Sequence, residues 1–279
     1  MLNEKAMLIN LSISQWCARK YDKKITKETN DLHNADNNAG RYNKQLIAKE
    51  NLENIQKIVN QARVFHYENT LPWMDEGARI LPASNFFEYT TKIKSFKDKF
   101  EVVVAKFLDN YESFVEESKI KLNSMFNASD YPEKNHVINL FSFNTDIMPL
   151  PDSNDFRVQL SDYETAIIKQ SIEEKSKIAI ENANKDLWNR LYTAINHIKE
   201  KLSIKDSIFR DSLIENLKDL CKLLPKLNIT GDVKLEQLAK DALNNLAIDP
   251  ETLRNNKDIR DDTAQNASVI LEKMKGYIG

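Results

Sequence analysis

Large apolar side chains recur every seven residues from Phe86 through Ile93, Phe100 and Phe107 to Phe114, and Tyr89, Phe96 and Val103 supply a second seam through most of that run. A repeat of sevens keeps one face of a helix apolar, so it is the mark of a helix that lies along another helix. Ser84 precedes the run as an N-cap, and the spacing predicts one helix over about 85–126, roughly 60 Å long. Its partner is predicted over 162–202. Ser161, Asp162 and Glu164 suit a helix start, where acidic groups meet the positive end of the dipole, and Ile168, Ile172, Leu187, Leu191, Ala194, Ile198 and Leu202 mark an apolar face that thins between Glu173 and Asp186.

The other segments are shorter. Ile9, Leu11 and Ile13 alternate with Asn10, Ser12 and Ser14, the period of a half-buried strand near 8–15. Further strands are expected near 77–82, 141–148 and 155–160, and Asn34–Gly40 reads as a loop. A helix over 49–68 carries Leu52, Ile55, Ile58, Val59 and Ala62 on one face and stops before Pro72. Beyond residue 203, Phe209, Leu213, Leu217, Leu220 and Leu224 recur at helical spacing up to Pro225, which is expected to end that helix, and another follows from Leu235. Asp249 then Pro250 reads as N-cap and first helical residue. The expected fold is mainly α with a small β portion (α+β). Two long helices form an antiparallel coiled-coil-like stalk with a small sheet at one end in a domain over 1–203, and a helical unit occupies 204–279.

Composition bears on function mainly by exclusion. Only five glycines occur in 279 residues, at 40, 77, 231, 276 and 279, against about 7% in an average chain. No glycine-rich phosphate loop or nucleophile elbow is spelled, which argues against dinucleotide enzymes, P-loop NTPases and serine hydrolases. His66 and Glu68 form an H-x-E, but the P-C-x-x-C that zinc deaminases also need is missing. His33, His66, His136 and His197 are scattered, and Cys17 and Cys221 stand far apart. The pairs Glu116-Glu117, Glu173-Glu174 and Asp261-Asp262 read as solvated helix faces. Cations favour the thiolate of Cys17 beside Arg19 and Lys20, but the preferred reading is a buried or inert thiol next to a strand end. The expectation is therefore no enzyme, no cofactor, no metal and no catalytic residue. A net charge of −2 and the lack of a long apolar run point to a cytoplasmic chain with no membrane partner.

Two residue sets invite a binding role. Trp16, Arg19, Lys20, Tyr21, Lys23, Lys24 and Lys27, followed by Arg41, Tyr42 and Lys44, interleave cations with aromatics. Cations contact phosphate and aromatics stack on bases, the combination used on single strands. The candidate nucleic-acid-binding residues are thus Trp16, Arg19, Lys20, Lys23, Lys24, Lys27, Arg41, Tyr42 and Lys44. The competing reading is an ordinary solvated face, since the basic excess over residues 1–50 is small. The stretch Arg63 to Trp73 is dense in large side chains. Buried, it caps the stalk and holds the small sheet; exposed, it is a hot spot for a protein partner built on Arg63, His66, Tyr67 and Trp73 with nearby Arg79.

Leu11-Ser-Ile-Ser-Gln-Trp16, Ala18-Arg-Lys-Tyr-Asp-Lys-Lys24, Gly40-Arg-Tyr-Asn-Lys44, Phe65-His-Tyr-Glu-Asn-Thr-Leu-Pro-Trp73, Gly77-Ala-Arg-Ile-Leu-Pro82, Asp155-Phe-Arg-Val158 and Asp186-Leu-Trp-Asn-Arg-Leu191 together resemble a family of tailed phages and integrative elements catalogued as a domain of unknown function. The resemblance spans about residues 7–203. It supplies no catalytic residues, and it implies a setting near DNA recombination or a MoxR-like AAA+ ATPase. The expected function is a non-enzymatic accessory protein of phage or mobile-element DNA metabolism (replication or recombination) that binds nucleic acid or a DNA-processing partner. An adaptor or inhibitor acting on such an ATPase or on a host defence component is the alternative, and a virion or scaffolding role is a third. Self-association is compatible with each.

Overall fold

In the computed structural model, which describes residues 4–74, 77–153, 160–204 and 207–277, the chain is mainly helical with a small antiparallel sheet. Its elements run β1 (Ala6–Ser14), β2 (Arg19–Tyr21), α1 (Lys23–Leu32), β3 (Asn43–Gln45), α2 (Lys49–Glu68), β4 (Leu71–Pro72), β5 (Arg79–Pro82), α3 (Phe86–Asp109), α4 (Tyr111–Leu122), α5 (Lys134–Val137) and β6 (Ser142–Pro149). The helices α6 (Asp162–Ser203), α7 (Ser212–Leu227), α8 (Val233–Leu246), α9 (Pro250–Asn255) and α10 (Lys257–Met274) complete them. The sheet has the order β4-β5-β1-β6, with Leu8 opposite Ile80 and Leu71 opposite Ile80 on its other side. β2 and β3 form a separate two-stranded ribbon. The strands expected near 8–15, 77–82 and 141–148 are β1, β5 and β6, whereas that at 155–160 lies outside the described residues.

Two compact units divide the chain. The first comprises Met1–Asn10, Tyr67–Tyr89 and Asp146–Gly279, the second Leu11–His66 and Thr90–Thr145.

The first unit is organised on α6. This 42-residue helix starts with a capping box, in which the Ser161 hydroxyl accepts from the Glu164 N–H and the Glu164 carboxylate accepts from the Ser161 N–H. Its buried stripe begins only at Ala179 and continues through Ala183, Leu187, Leu191, Ile195, Ile198 and Leu202, at spacings of three and four. Residues 162–178 contain no buried side chain. The stripe shares one core with Ile214, Leu217 and Leu224 of α7, Leu235, Leu238 and Ala242 of α8, and Ala267, Ile270 and Met274 of α10. The helices packed on α6 are thus those that follow it in its own unit. α7 runs through Pro225 to Leu227, so Pro225 sits inside the last turn and does not end the helix as expected. A missing N–H near a helix end forfeits one bond, and two further residues keep helical geometry. Gly231 takes φ +69° between α7 and α8, and Asp249 caps α9 with Pro250 at its first position, as the sequence predicts.

The second unit is held by aromatic rings. Phe100 meets Phe143 at 5.7 Å, Phe107 meets Phe141 at 5.8 Å, Phe65 meets Phe96 at 5.8 Å, and Trp16 packs edge-on against Phe107 and Tyr111. Edge and tilted contacts at these spacings match the ring quadrupoles.

The heptad run is not one helix. α3 ends at Asp109 and α4 starts at Tyr111, because Asn110 leaves helical geometry (φ −101°, ψ 3°) and its side-chain amide donates to the Lys106 carbonyl at 2.8 Å. The buried positions also depart from strict sevens: they step through Tyr89, Ile93, Phe96, Phe100, Val104, Phe107, Leu108 and Tyr111, with Val103 only half-buried and Phe86 38% exposed. A straight helix drifts by about 20° per heptad, so a face packed on a globular core leaves the seven-residue seam within a few turns. Ser84 lies in a short 3-10 turn, Ala83–Asn85, that leads into α3, and its hydroxyl donates to the Lys226 carbonyl.

This shift of seam has a stability signature. Val104→Ala should lower unfolding free energy by about 2 kcal/mol, and Val103→Ala by less than about 1 kcal/mol. Urea denaturation of the two variants checks it, and equal losses would restore the heptad reading.

Candidate functional site

Residues 16–45, which interleave cations with aromatics around the loop Asn34–Gly40, build a ribbon and a helix. Asp22 joins the two, accepting the Lys24 and Ile25 N–H groups at the start of α1, both at 3.1 Å. In the ribbon Arg19 pairs with Gln45, Lys20 with Lys44, and Tyr21 with Asn43. Strand alternation therefore puts Lys20 and Lys44 side by side on one face, where like charges repel. Asp130 resolves the conflict by taking Lys20 Nζ at 2.8 Å and Lys44 Nζ at 2.6 Å, one on each carboxylate oxygen. Lys44, 4% exposed, also reaches Asp22 at 3.3 Å and donates to the Met125 carbonyl at 2.8 Å, so its three N–H donors are all used. Burial pushes the Asp130 carboxyl up, but hydrogen bonds from Lys20 and Lys44 outweigh it and hold the group below its ordinary value. Burial likewise works against the Lys44 ammonium, and Asp130 and Asp22 together raise it above its ordinary value.

The opposite face of the ribbon carries the exposed chemistry. Arg19 donates to the Gln45 side chain at 3.0 Å. The Arg41 guanidinium lies 5.9 Å from the Tyr21 ring centre, and Tyr21 and Tyr42 are 42% and 37% exposed. Lys23, Lys24 and Lys27 project from α1 into solvent, with Lys24 near Glu28 at 3.8 Å. Of the nine residues predicted to touch nucleic acid, Arg19, Lys23, Lys24, Lys27, Arg41 and Tyr42 are thus exposed. Lys20 is shared with Asp130, Lys44 is buried, and Trp16 belongs to the aromatic core.

The second predicted set separates in the same way. His66 and Trp73 are buried, and Arg63 donates to the Ile13 carbonyl at 3.0 Å. Tyr67 and Arg79 line a groove of about 1190 Å³ in the first unit, between α6 and α7. Arg79 lies under the Tyr67 ring at 4.8 Å and donates to the Thr70 hydroxyl and carbonyl. Arg190 donates to the carbonyls of Tyr67, Glu68 and Thr70 and pairs with Asp186 at 2.8 Å. These two guanidiniums build the wall and are not available charges. The floor is Ala194, Leu213, Leu217, Leu220 and Leu223, and α6 adds an exposed polar row, Asn189, Thr193 and His197. One end holds Glu68 and Asp219; burial pushes the Glu68 carboxyl up, Arg190 opposes this and Asp219 adds to it. The other end holds Lys201 and Arg210 beside Ile208, which is 93% exposed. Phe209 anchors that end between Arg254 and Arg260 at 5.1 and 5.7 Å.

No protein family, curated protein or solved structure matches the chain. Among the described residues no group of three or more His, Cys, Asp and Glu side chains could hold a metal ion, and no helix is long and apolar enough to cross a membrane. Cys17 is exposed and Cys221 buried, where burial pushes its thiol up to about 12.

The Asp130 cluster yields an acid-sensitivity prediction. A carboxyl held below its ordinary value of about 3.9 stabilises the fold above that pH, and the contribution is lost as pH falls through the folded-state value. Asp130→Asn should cost about 3 kcal/mol at pH 7, since it leaves a buried ammonium with one carboxylate fewer. The gap between wild type and variant should close as pH falls below about 4. Urea midpoints at pH 7 and in acid measure it; a gap that stays constant would exclude the assigned role.

Proposed function

We propose that the protein is a non-enzymatic accessory factor that contacts single-stranded nucleic acid through the outer face of the β2–β3 ribbon and the adjoining side of α1. One observation carries the reading: Arg19, Tyr21 and Arg41 share an exposed face, with a guanidinium on an aromatic ring and Tyr42, Lys23 and Lys27 nearby. Exposed rings offer stacking surfaces to bases of any sequence, and flexible cations follow the phosphates. Two acids of this region are already engaged, Asp22 by the α1 N-terminus and Lys44, and Asp130 by Lys20 and Lys44, while Glu28 and Asp31 of α1 remain exposed. A role in replication or recombination of a phage or mobile element is the setting that the resemblance of residues 7–203 implies, and it is proposed on that ground alone.

The reading predicts binding of a fluorescein-labelled oligodeoxythymidine of about 20 nucleotides, measured by fluorescence anisotropy. Phosphate contacts by Arg19, Lys23, Lys27 and Arg41, at about 0.7 counterions each, give a log–log salt slope of about −3. Arg19→Glu with Arg41→Glu should weaken binding by about tenfold or more while leaving the thermal midpoint unchanged. An affinity indifferent to salt, or to that double substitution, would exclude this face.

A further inference from the structure

The groove between α6 and α7 has a chemistry of its own, and its residues all belong to the first unit. Its volume of about 1190 Å³ exceeds the range of about 300–1,000 Å³ usual for small-ligand pockets. Its floor is apolar along α7, from Leu213 to Leu223, while α6 offers Asn189, Thr193 and His197 four residues apart, and hence on one line. A row of side chains able to donate and accept beside an apolar floor suits a partner whose backbone groups lack partners of their own. An extended chain meets that description, and a helix, which bonds its own backbone, does not. Charge then fixes direction: Lys201 and Arg210 stand at one end and Glu68 with Asp219 at the other. Among the described residues neither Lys201 nor Arg210 enters an ion pair, whereas in the wall Arg190 is paired with Asp186 and Arg79 is hydrogen-bonded to Thr70.

We infer that this groove binds an extended segment of a partner protein, with apolar side chains on the α7 floor and a carboxylate end held by Lys201 and Arg210. The length follows from the two rises. Asn189 to Lys201 spans about 18 Å of helix at 1.5 Å per residue, which about five or six extended residues cover at 3.3 Å each. The exposed Ile208 supplies an apolar contact next to the basic end.

The test is selection from a random dodecapeptide display library on the full chain, followed by anisotropy of labelled synthetic copies of the enriched peptides. The expected result is a shared core of about five or six residues with apolar anchors and Asp or Glu at one end. Lys201→Glu with Arg210→Glu should weaken these peptides at least about tenfold without lowering the thermal midpoint. Copies with Lys in place of the acidic end should regain affinity on that variant. Arg19→Glu with Arg41→Glu should leave peptide binding unchanged, which separates this site from the ribbon face. The inference is overturned by a lack of enrichment, by enriched peptides indifferent to the Lys201 and Arg210 substitutions, or by displacement of the peptide with oligodeoxythymidine. A dimer by light scattering that dissociates on Lys201→Glu with Arg210→Glu would also overturn it, since a second copy would then be the occupant.

Discussion

Burial of the C-terminal half of α6 is the constraint on which the first unit depends. Leu187, Trp188, Leu191, Ile195 and Ile198 are 2% exposed or less, and three later helices pack on that stripe. Each large apolar side chain taken out of water contributes roughly 1.5–3 kcal/mol, so this stretch concentrates much of the unit's stabilisation in a few turns. Polar groups on the same stretch are committed as completely. Trp188 donates its indole N–H to Asp232 at 2.9 Å, tying α6 to the cap of α8. Arg190 collects three carbonyls at Tyr67–Thr70, and the groove exists because these attachments hold α6 and its surroundings open on one side.

Charge is distributed by the same logic of commitment. A formal net charge of −2 hides a partition in which several acids are consumed internally. Asp22, Asp130, Asp186 and Asp232 each hold a cation, an N–H group or both. Among the cations left facing water are those around the ribbon, Arg19, Lys23, Lys27 and Arg41, and Arg210 at the basic end of the groove. What determines a surface of this kind is which charges remain after the fold has used the rest, a quantity that overall composition does not report.

Much of the fold was legible in the sequence, and the failures have physical causes. α2, α6, α9 and the strands β1, β5 and β6 follow from periodicity and caps that act locally. The heptad run misled because sevens describe a supercoil, whereas the buried stripe of α3 follows a straighter helix and Asn110 interrupts it. The ribbon was invisible because its strands are three residues long and polar on both faces, and because Asp130, which makes Lys20 and Lys44 compatible neighbours, comes more than eighty residues later in the chain. The groove was hidden for a related reason. Asn189, Thr193, His197 and Lys201 read as the solvent side of a helix, and only the return of α7 beside them makes them a wall.

Arg260 has one consequence of a different kind. Its guanidinium donates to the carbonyls of Lys201 and Leu202, which α6 leaves open in its last turn, and to those of Ile204 and Ser207 beyond the helix end. That donor stands on α10, which is made after α7, α8 and α9. During synthesis these carbonyls must therefore stay hydrated until α10 has left the ribosome. The first unit completes its core only once α10 is made, and a chain arrested before residue 260 would leave the part of the α6 stripe that α10 covers open to chaperones.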